Sequence, residues 1–157
     1  MPNLFDLSTT LTVIFAALLV GNVATQLWLN ARQARHVWTH RDTVPMAFAA
    51  SVSLAEHQKA ADYTLAKLRL GNWGILLSAT VLLGWTLMGG LEALNLALRD
   101  VFGAGMTQQL ALMASVTVLG SLIELPLSWW RTFRLEAAFG FNKTTPKLWV
   151  NDLLKGA

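Results

Sequence analysis

Three apolar windows constrain this chain more than any other feature in it. They run from about Ser8 to Trp28, from about Trp73 to Leu98 and from about Thr107 to Trp130. Each reaches the roughly 20 residues that an α-helix needs to cross the hydrocarbon of a bilayer. A spanning segment must satisfy every backbone N–H and C=O internally, so windows of this kind are read as helices. Composition agrees. The 157 residues are 54% hydrophobic and 13% charged, whereas a soluble domain carries about 25% charge. There is no cysteine, which excludes a disulfide framework and any Cys-based metal or redox chemistry. The net charge of +3 is too mild to argue for a nucleic-acid partner, and none is assigned.

The fold class expected is therefore all-α: a polytopic membrane protein of three transmembrane helices, residues 1–157 forming a single membrane domain. The start, MPNLFDLSTT, has an acidic residue and no basic one, unlike the n-region of a signal peptide, so the first span is expected to stay as an anchor. Basic residues set the orientation. Arg32, Arg35, Arg41, Lys59, Lys67 and Arg69 lie between the first two spans. Arg131, Arg134, Lys143, Lys147 and Lys155 follow the third, and Arg99 alone of the twelve lies opposite. This places the N-terminus outside, and the 31–71 segment and the C-terminus in the cytoplasm. Within 31–71, Pro45 breaks the first helix, because the residue before a proline is pushed out of the helical region. Ser53 and Glu56 then fit the capping box S-x-x-E of a long helix that enters span two nearly unbroken, with Gly71 and Gly74 marking the place for a bend. After span three, Gly140 suits a helix end. Thr145 can cap a last, largely apolar helix that starts at Pro146 and reaches the C-terminus.

Several residues are candidates for chemistry. His36 and His40 share a helix face, the spacing used by zinc peptidases. Zinc needs three or four ligands, and a zincin helix has a glutamate directly after the first histidine, where this chain has Val37. The stretch RHVWTH reads instead as an interfacial turn with Trp38 at the headgroup level, and no metal ligands are assigned. Glu124 is the most informative residue. A carboxylate inside a spanning helix is costly and as a rule faces a cavity or a partner. Pro126 lies two residues on and frees the carbonyl of Leu122. Either the two make a locally irregular helix that lines something polar, or Glu124 sits nearer the interface, paired or protonated. Asn22, Gln26 and Asn30 form a polar stripe on span one, either as helix–helix hydrogen bonds or as a wall of a water-filled chamber. Trp129 and Trp130 read as interface anchors. Lys59, Asp62, Lys67 and Arg69 read as a solvated helix face without a role.

The tail ELPLSWWRTFRLEAAFGFNKTTPKLWVNDLLKG resembles the N-terminal region of the integral-membrane CAAX prenyl protease family of zinc metallopeptidases. Leu125-Pro126, Thr132-Phe133, Glu136 and Phe139-Gly140-Phe141-Asn142 followed by Thr145 carry the likeness, with Asp152 and Lys155 at the family spacing. The stretch from Arg35 to Lys67 resembles the bacterial branch, and the likeness extends from about Leu29 onward. Ala137 and Ala138 depart from it, since members often carry charged residues there. The larger departure is that the H-E-x-x-H helix of the family and its downstream glutamate have no counterpart in these residues. Catalytic residues are accordingly assigned to none.

The resemblance implies an N-terminal membrane region that supplies chamber wall and scaffold to a zinc-dependent endopeptidase and is inactive alone. Zinc belongs to the full-length parent and no cofactor to this chain. The partners implied are the lipid bilayer, the C-terminal catalytic region of the same protein, and a peptide or membrane-protein substrate. The location implied is the bacterial inner membrane. Glu124, Glu136, Asn142, Asn22 and Gln26 are the substrate or chamber candidates, although Asn142 has an alternative as the capping residue of a turn. Two other functions are a free-standing scaffold or adaptor and a small channel or transporter subunit. The unburied apolar surface also leads to an expectation of self-association.

Overall fold

The computed structural model describes residues 4–156, and all its regular elements are helical. The reading of the first residues as an anchor start falls partly on Met1–Asn3, outside the described residues. Helix α1 spans Leu4–Thr39, α2 Leu54–Thr86, α3 Gly90–Phe102, α4 Met106–Trp130 and α5 Pro146–Gly156. A short 3-10 turn, Met46–Phe48, lies between α1 and α2, and α4 continues as a π-helix over Arg131–Glu136.

Helices α1 and α2 pack antiparallel, and polar contacts fix their register. Asn30 Nδ2 donates to Asn72 Oδ1 at 2.7 Å. Further along, Arg41 grips Asp62 with both forks of its guanidinium, Nε to Oδ1 at 2.7 Å and Nη2 to Oδ2 at 2.9 Å. The connection between the helices is sewn down by Gln58 donating to Asp42 at 2.8 Å and by His57 Nε2, 3.0 Å from the carbonyl oxygen of His40. Asp62 is thus an anchor of the hairpin, which corrects its reading as part of a solvated face. The guanidinium of Arg41 hydrogen-bonds its carboxylate and holds the pKa of Asp62 below the usual range, against a smaller opposing effect of burial.

The capping signals form as their residue types dictate. Ser53 accepts from the N–H of Glu56, and the Glu56 carboxylate accepts from the Ser53 N–H at 2.9 Å, so two orphan donors of α2 are satisfied. Thr145 Oγ1 accepts from the N–H of Leu148 at 3.3 Å and caps α5.

Two helices are long and apolar enough to cross a membrane, Leu7–Thr39 and Met106–Glu136. A third crossing exists only if the bent pair Leu54–Thr86 and Gly90–Phe102 is one span. The window 73–98 is therefore not one straight helix: it bends by 53° between α2 and α3. The helix continues unbroken through Gly71 and Gly74, and the bend falls at the glycine pair Gly89–Gly90. Gly89 takes a left-handed φ of +78°, and a side chain on Gly90 would stand 2.8 Å from the backbone carbonyl oxygen of Gly84. The chain turns where both the left-handed conformation and the close approach require glycine.

Among the described residues only Ala61 and Gln108 are buried. Large apolar side chains such as Leu18, 70% exposed, and Val20, 67% exposed, point outward. This is the pattern of an integral membrane protein whose apolar surface meets lipid or other helices instead of a core of its own.

Candidate functional site: a polar cleft among the helices

Three helix faces converge on one cleft. On α4 and its π-continuation, Glu124, Leu127, Ser128 and Arg131 recur at helical spacing and share a face. On α1, Leu19, Asn22, Val23 and Gln26 do the same. Between them α2 contributes Gly74 and Ser78. The α4 side of the cleft is a cavity of about 270 Å³ and the α1 side one of about 370 Å³. Gly74, Ser78 and Arg131 line both, so Glu124 stands at one end of a continuous polar seam and Asn22 and Gln26 at the other. Glu124 and Ser78 also line a neighbouring apolar cavity of about 390 Å³ beside Trp85 and Ile123.

Small residues on α2 open this space. A methyl group at Gly74 would come within 3.2 Å of Leu127 Cδ2, so glycine lets α2 approach α4 closely. Gln26 Nε2 donates to Asn22 Oδ1 at 3.1 Å within α1, which orients the two amides. Their remaining polar atoms are available to something in the cleft. Of the sequence stripe, only Asn30 turns to its neighbour helix. The stripe therefore divides, with one residue bonding between helices and two lining the cavity. The seam can present a carboxylate, a guanidinium, two carboxamides and two hydroxyls to a polar chain or to water. None of these groups is paired for proton abstraction or nucleophilic attack.

Glu136 and Asn142 lie elsewhere, in one turn. The backbone carbonyl of Glu136 accepts from the N–H of Phe141 at 2.9 Å, and that of Ala137 from the N–H of Gly140 at 3.1 Å. With Gly140 at φ +74°, these bonds form a Schellman helix end. Asn142 Oδ1 accepts from the N–H of Thr144 at 2.7 Å, an Asx turn. Tyr63 of α2 holds this turn, its ring centroid 5.4 Å from Phe139 and 4.9 Å from Phe141. Trp129 lies 4.1 Å from Phe133 and 5.3 Å from Trp149, which ties α5 to the end of α4.

The histidines do not gather around a common point. The rings of His36 and His40 have centroids 4.2 Å apart, and His40 Nδ1 lies 2.8 Å from the carbonyl oxygen of His36. Among the described residues no group of three or more His, Asp or Glu is placed to hold a metal ion. The described side chains therefore do not make a three-ligand zinc site.

Sequence reasoning missed Arg131, Ser78 and Ser128 as parts of the seam. Arg131 carried a signal, since it stands two helical turns from Glu124. The serines carried none, because hydroxyls in an apolar helix commonly bond their own backbone, as Ser121 does to the carbonyl of Thr117.

Residues 33–157 match the family described as CAAX prenyl protease N-terminal, five membrane helices. The probable CAAX prenyl protease 1 of Schizosaccharomyces pombe is 29% identical over 160 residues, covering 91% of this chain and 32% of that protein. The human CAAX prenyl protease 1 homolog is 28% identical over 151 residues, 90% of this chain and 32% of the relative. CAAX prenyl protease 1 of Saccharomyces cerevisiae is 44% identical over a shorter stretch of 48 residues, 31% of this chain and 11% of the relative. The crystal structure of S. mikatae Ste24p shares the fold, with a TM-score of 0.81 at 22% identity, over 92% of this chain and 34% of that one. The chain thus spans at most about a third of the length of these relatives.

Proposed function

The chain belongs to the CAAX prenyl protease N-terminal family, and from that premise we propose that it supplies chamber wall and scaffold to a zinc-dependent membrane endopeptidase. Residues 1–157 act in this reading as one membrane domain, and the catalytic helices belong to a further region of the same protein. The observation that carries it is the polar seam from Asn22 and Gln26 through Ser78 and Arg131 to Glu124, set in helices that are otherwise apolar. A wall of this kind hydrates a peptide inside the bilayer and offers its backbone carboxamide and carboxylate partners. Glu136 and Asn142 fix the turn that aims α5, and so orient what packs against it. The zinc ion that polarises a scissile carbonyl in such enzymes is held outside this chain.

The substrate is a peptide or membrane protein, and the names of the relatives point to a prenylated C-terminus as one class. The bacterial inner membrane as the location rests on the likeness of residues 35–67, while the relatives compared are eukaryotic. The orientation, with the N-terminus outside, rests on the bias of the basic residues.

Thiol accessibility tests the chamber. The chain has no cysteine, so single replacements read without background. In sealed vesicles, Asn22→Cys and Glu124→Cys should react with a small water-soluble maleimide, and Leu18→Cys should not. Equal protection of all three would dispose of the water-filled wall.

A further inference from the structure

A second groove lies between α1 and α2, nearer their polar ends and apart from the seam. It has a volume of about 270 Å³, with Arg35 and Trp38 on one wall and Leu65, Leu68 and Arg69 on the other. The Asn30–Asn72 bond closes its deep end. We propose that this groove binds an anionic glycerophospholipid, the phosphate held between Arg35 and Arg69 and the glycerol and upper acyl chain lying against Leu65, Leu68 and Trp38.

Depth supports the assignment. Trp28 and Trp73 flank the Asn30–Asn72 level, where the apolar windows end and the hydrocarbon boundary is expected. Arg69 is three residues above Asn72 and Arg35 five above Asn30, about 4.5 and 7.5 Å along the helices. The headgroup layer is roughly 5–7 Å thick on each side of a bilayer, so both guanidinium groups reach the phosphate plane.

Charge supports it as well. The acidic residues between the first two apolar windows are Asp42, Glu56 and Asp62, and all three are engaged elsewhere: Asp62 and Asp42 with Arg41, and Glu56 with Ser53. Arg41 is held by Asp62, and Arg32 sits over the Trp28 ring at 5.8 Å. Among the described residues Arg35 and Arg69 have no ion-pair partner, and they face one cavity. Two unneutralised guanidiniums above an apolar slot match a phosphate above an acyl chain.

The full chain in phosphatidylcholine vesicles, probed with trace spin-labelled phosphatidylglycerol or spin-labelled phosphatidylcholine, tests this. Electron spin resonance of the immobilised fraction gives the relative association of each lipid. The unaltered chain should select phosphatidylglycerol. Arg35→Gln and Arg69→Gln should each lower the selectivity about five-fold, and the double variant about thirty-fold. Arg35→Lys with Arg69→Lys should retain most of it, and Arg99→Gln should leave it unchanged. An unaltered chain without selectivity would overturn the proposal whatever the variants do. So would an equal loss in Arg99→Gln, which marks diffuse attraction, or displacement by added inorganic phosphate, which marks a site for soluble anions.

Discussion

A single methyl group at Gly90 should unsettle the bend between α2 and α3. The nearest atom to a β-carbon there is the carbonyl oxygen of Gly84 at 2.8 Å, followed by its carbon and by Trp85 Cε3, both at 3.3 Å. Two of these three atoms are backbone, so no side-chain rotation relieves the contact. The helices must separate and the 53° bend must change. Overpacking of this kind costs about 1–3 kcal/mol, roughly 5- to 150-fold in the folding equilibrium. Gly84→Ala is the internal control. It lies inside α2 with nothing within 4 Å of the added carbon. Alanine in a helix interior should gain about 0.5–1 kcal/mol over glycine. The two variants should therefore differ by about 1.5–4 kcal/mol. Unfolding in mixed detergent micelles, followed by tryptophan fluorescence, measures the difference, and Trp85 reports from beside the perturbation. If Gly90→Ala proves as stable as Gly84→Ala, the close approach does not set the bend, and the reasoning fails.

Three further outcomes are expected. The Arg41–Asp62 clamp depends on a carboxylate whose pKa is lowered by folding, so its contribution is present above the unfolded value of about 4 and is lost as pH falls through the folded value. Amide exchange over residues 40–53 should accelerate only in that acid range, and Asp62→Asn should exchange fast at neutral pH; a clamp that survives Asp62→Asn would contradict this. Gly140→Ala should cost about 1–2 kcal/mol through left-handed strain alone, since its β-carbon meets nothing closer than Lys59 Nζ at 3.9 Å; an unfolding midpoint equal to that of the unaltered chain would count against the Schellman end. The outward apolar faces should drive self-association of the chain in detergent, and sedimentation equilibrium that gives monomer alone at every concentration would refute it.

Much of this architecture is legible in the residues, for identifiable reasons. The capping box at Ser53 and Glu56 and the cap at Thr145 are short-range devices, and their partners lie within three residues. The Gly140 turn is equally local. What the sequence hides is separated along the chain or depends on choosing among equivalent signals. Arg41 and Asp62 are twenty-one residues apart and meet only once α1 and α2 are set in register. Several glycines could bend the second window, and the left-handed φ of Gly89 together with the close approach of Gly90 to Gly84 puts the bend there and not at Gly71 or Gly74. In the cleft, Glu124 stands out because charge in a spanning helix is costly. Ser78 and Arg131 gain meaning only from what faces them.

The π-helical stretch Arg131–Glu136 acts as a phase shifter. A wide turn of this type accommodates about one residue more than an α-turn, so everything after it is rotated by roughly 100° relative to an unbroken α-helix. Leu127, Ser128 and Arg131 look into the cleft, whereas Phe139 and Phe141 a few residues later look toward Tyr63. The segment thereby meets α2 at two levels, beside Gly74 and Ser78 before the wide turn and at Tyr63 past the Gly140 helix end. Removing a single residue between 131 and 136 would turn the wide turn into an ordinary one and leave Phe139 and Phe141 facing Tyr63, whereas tightening it with every residue kept would swing them roughly 100° away.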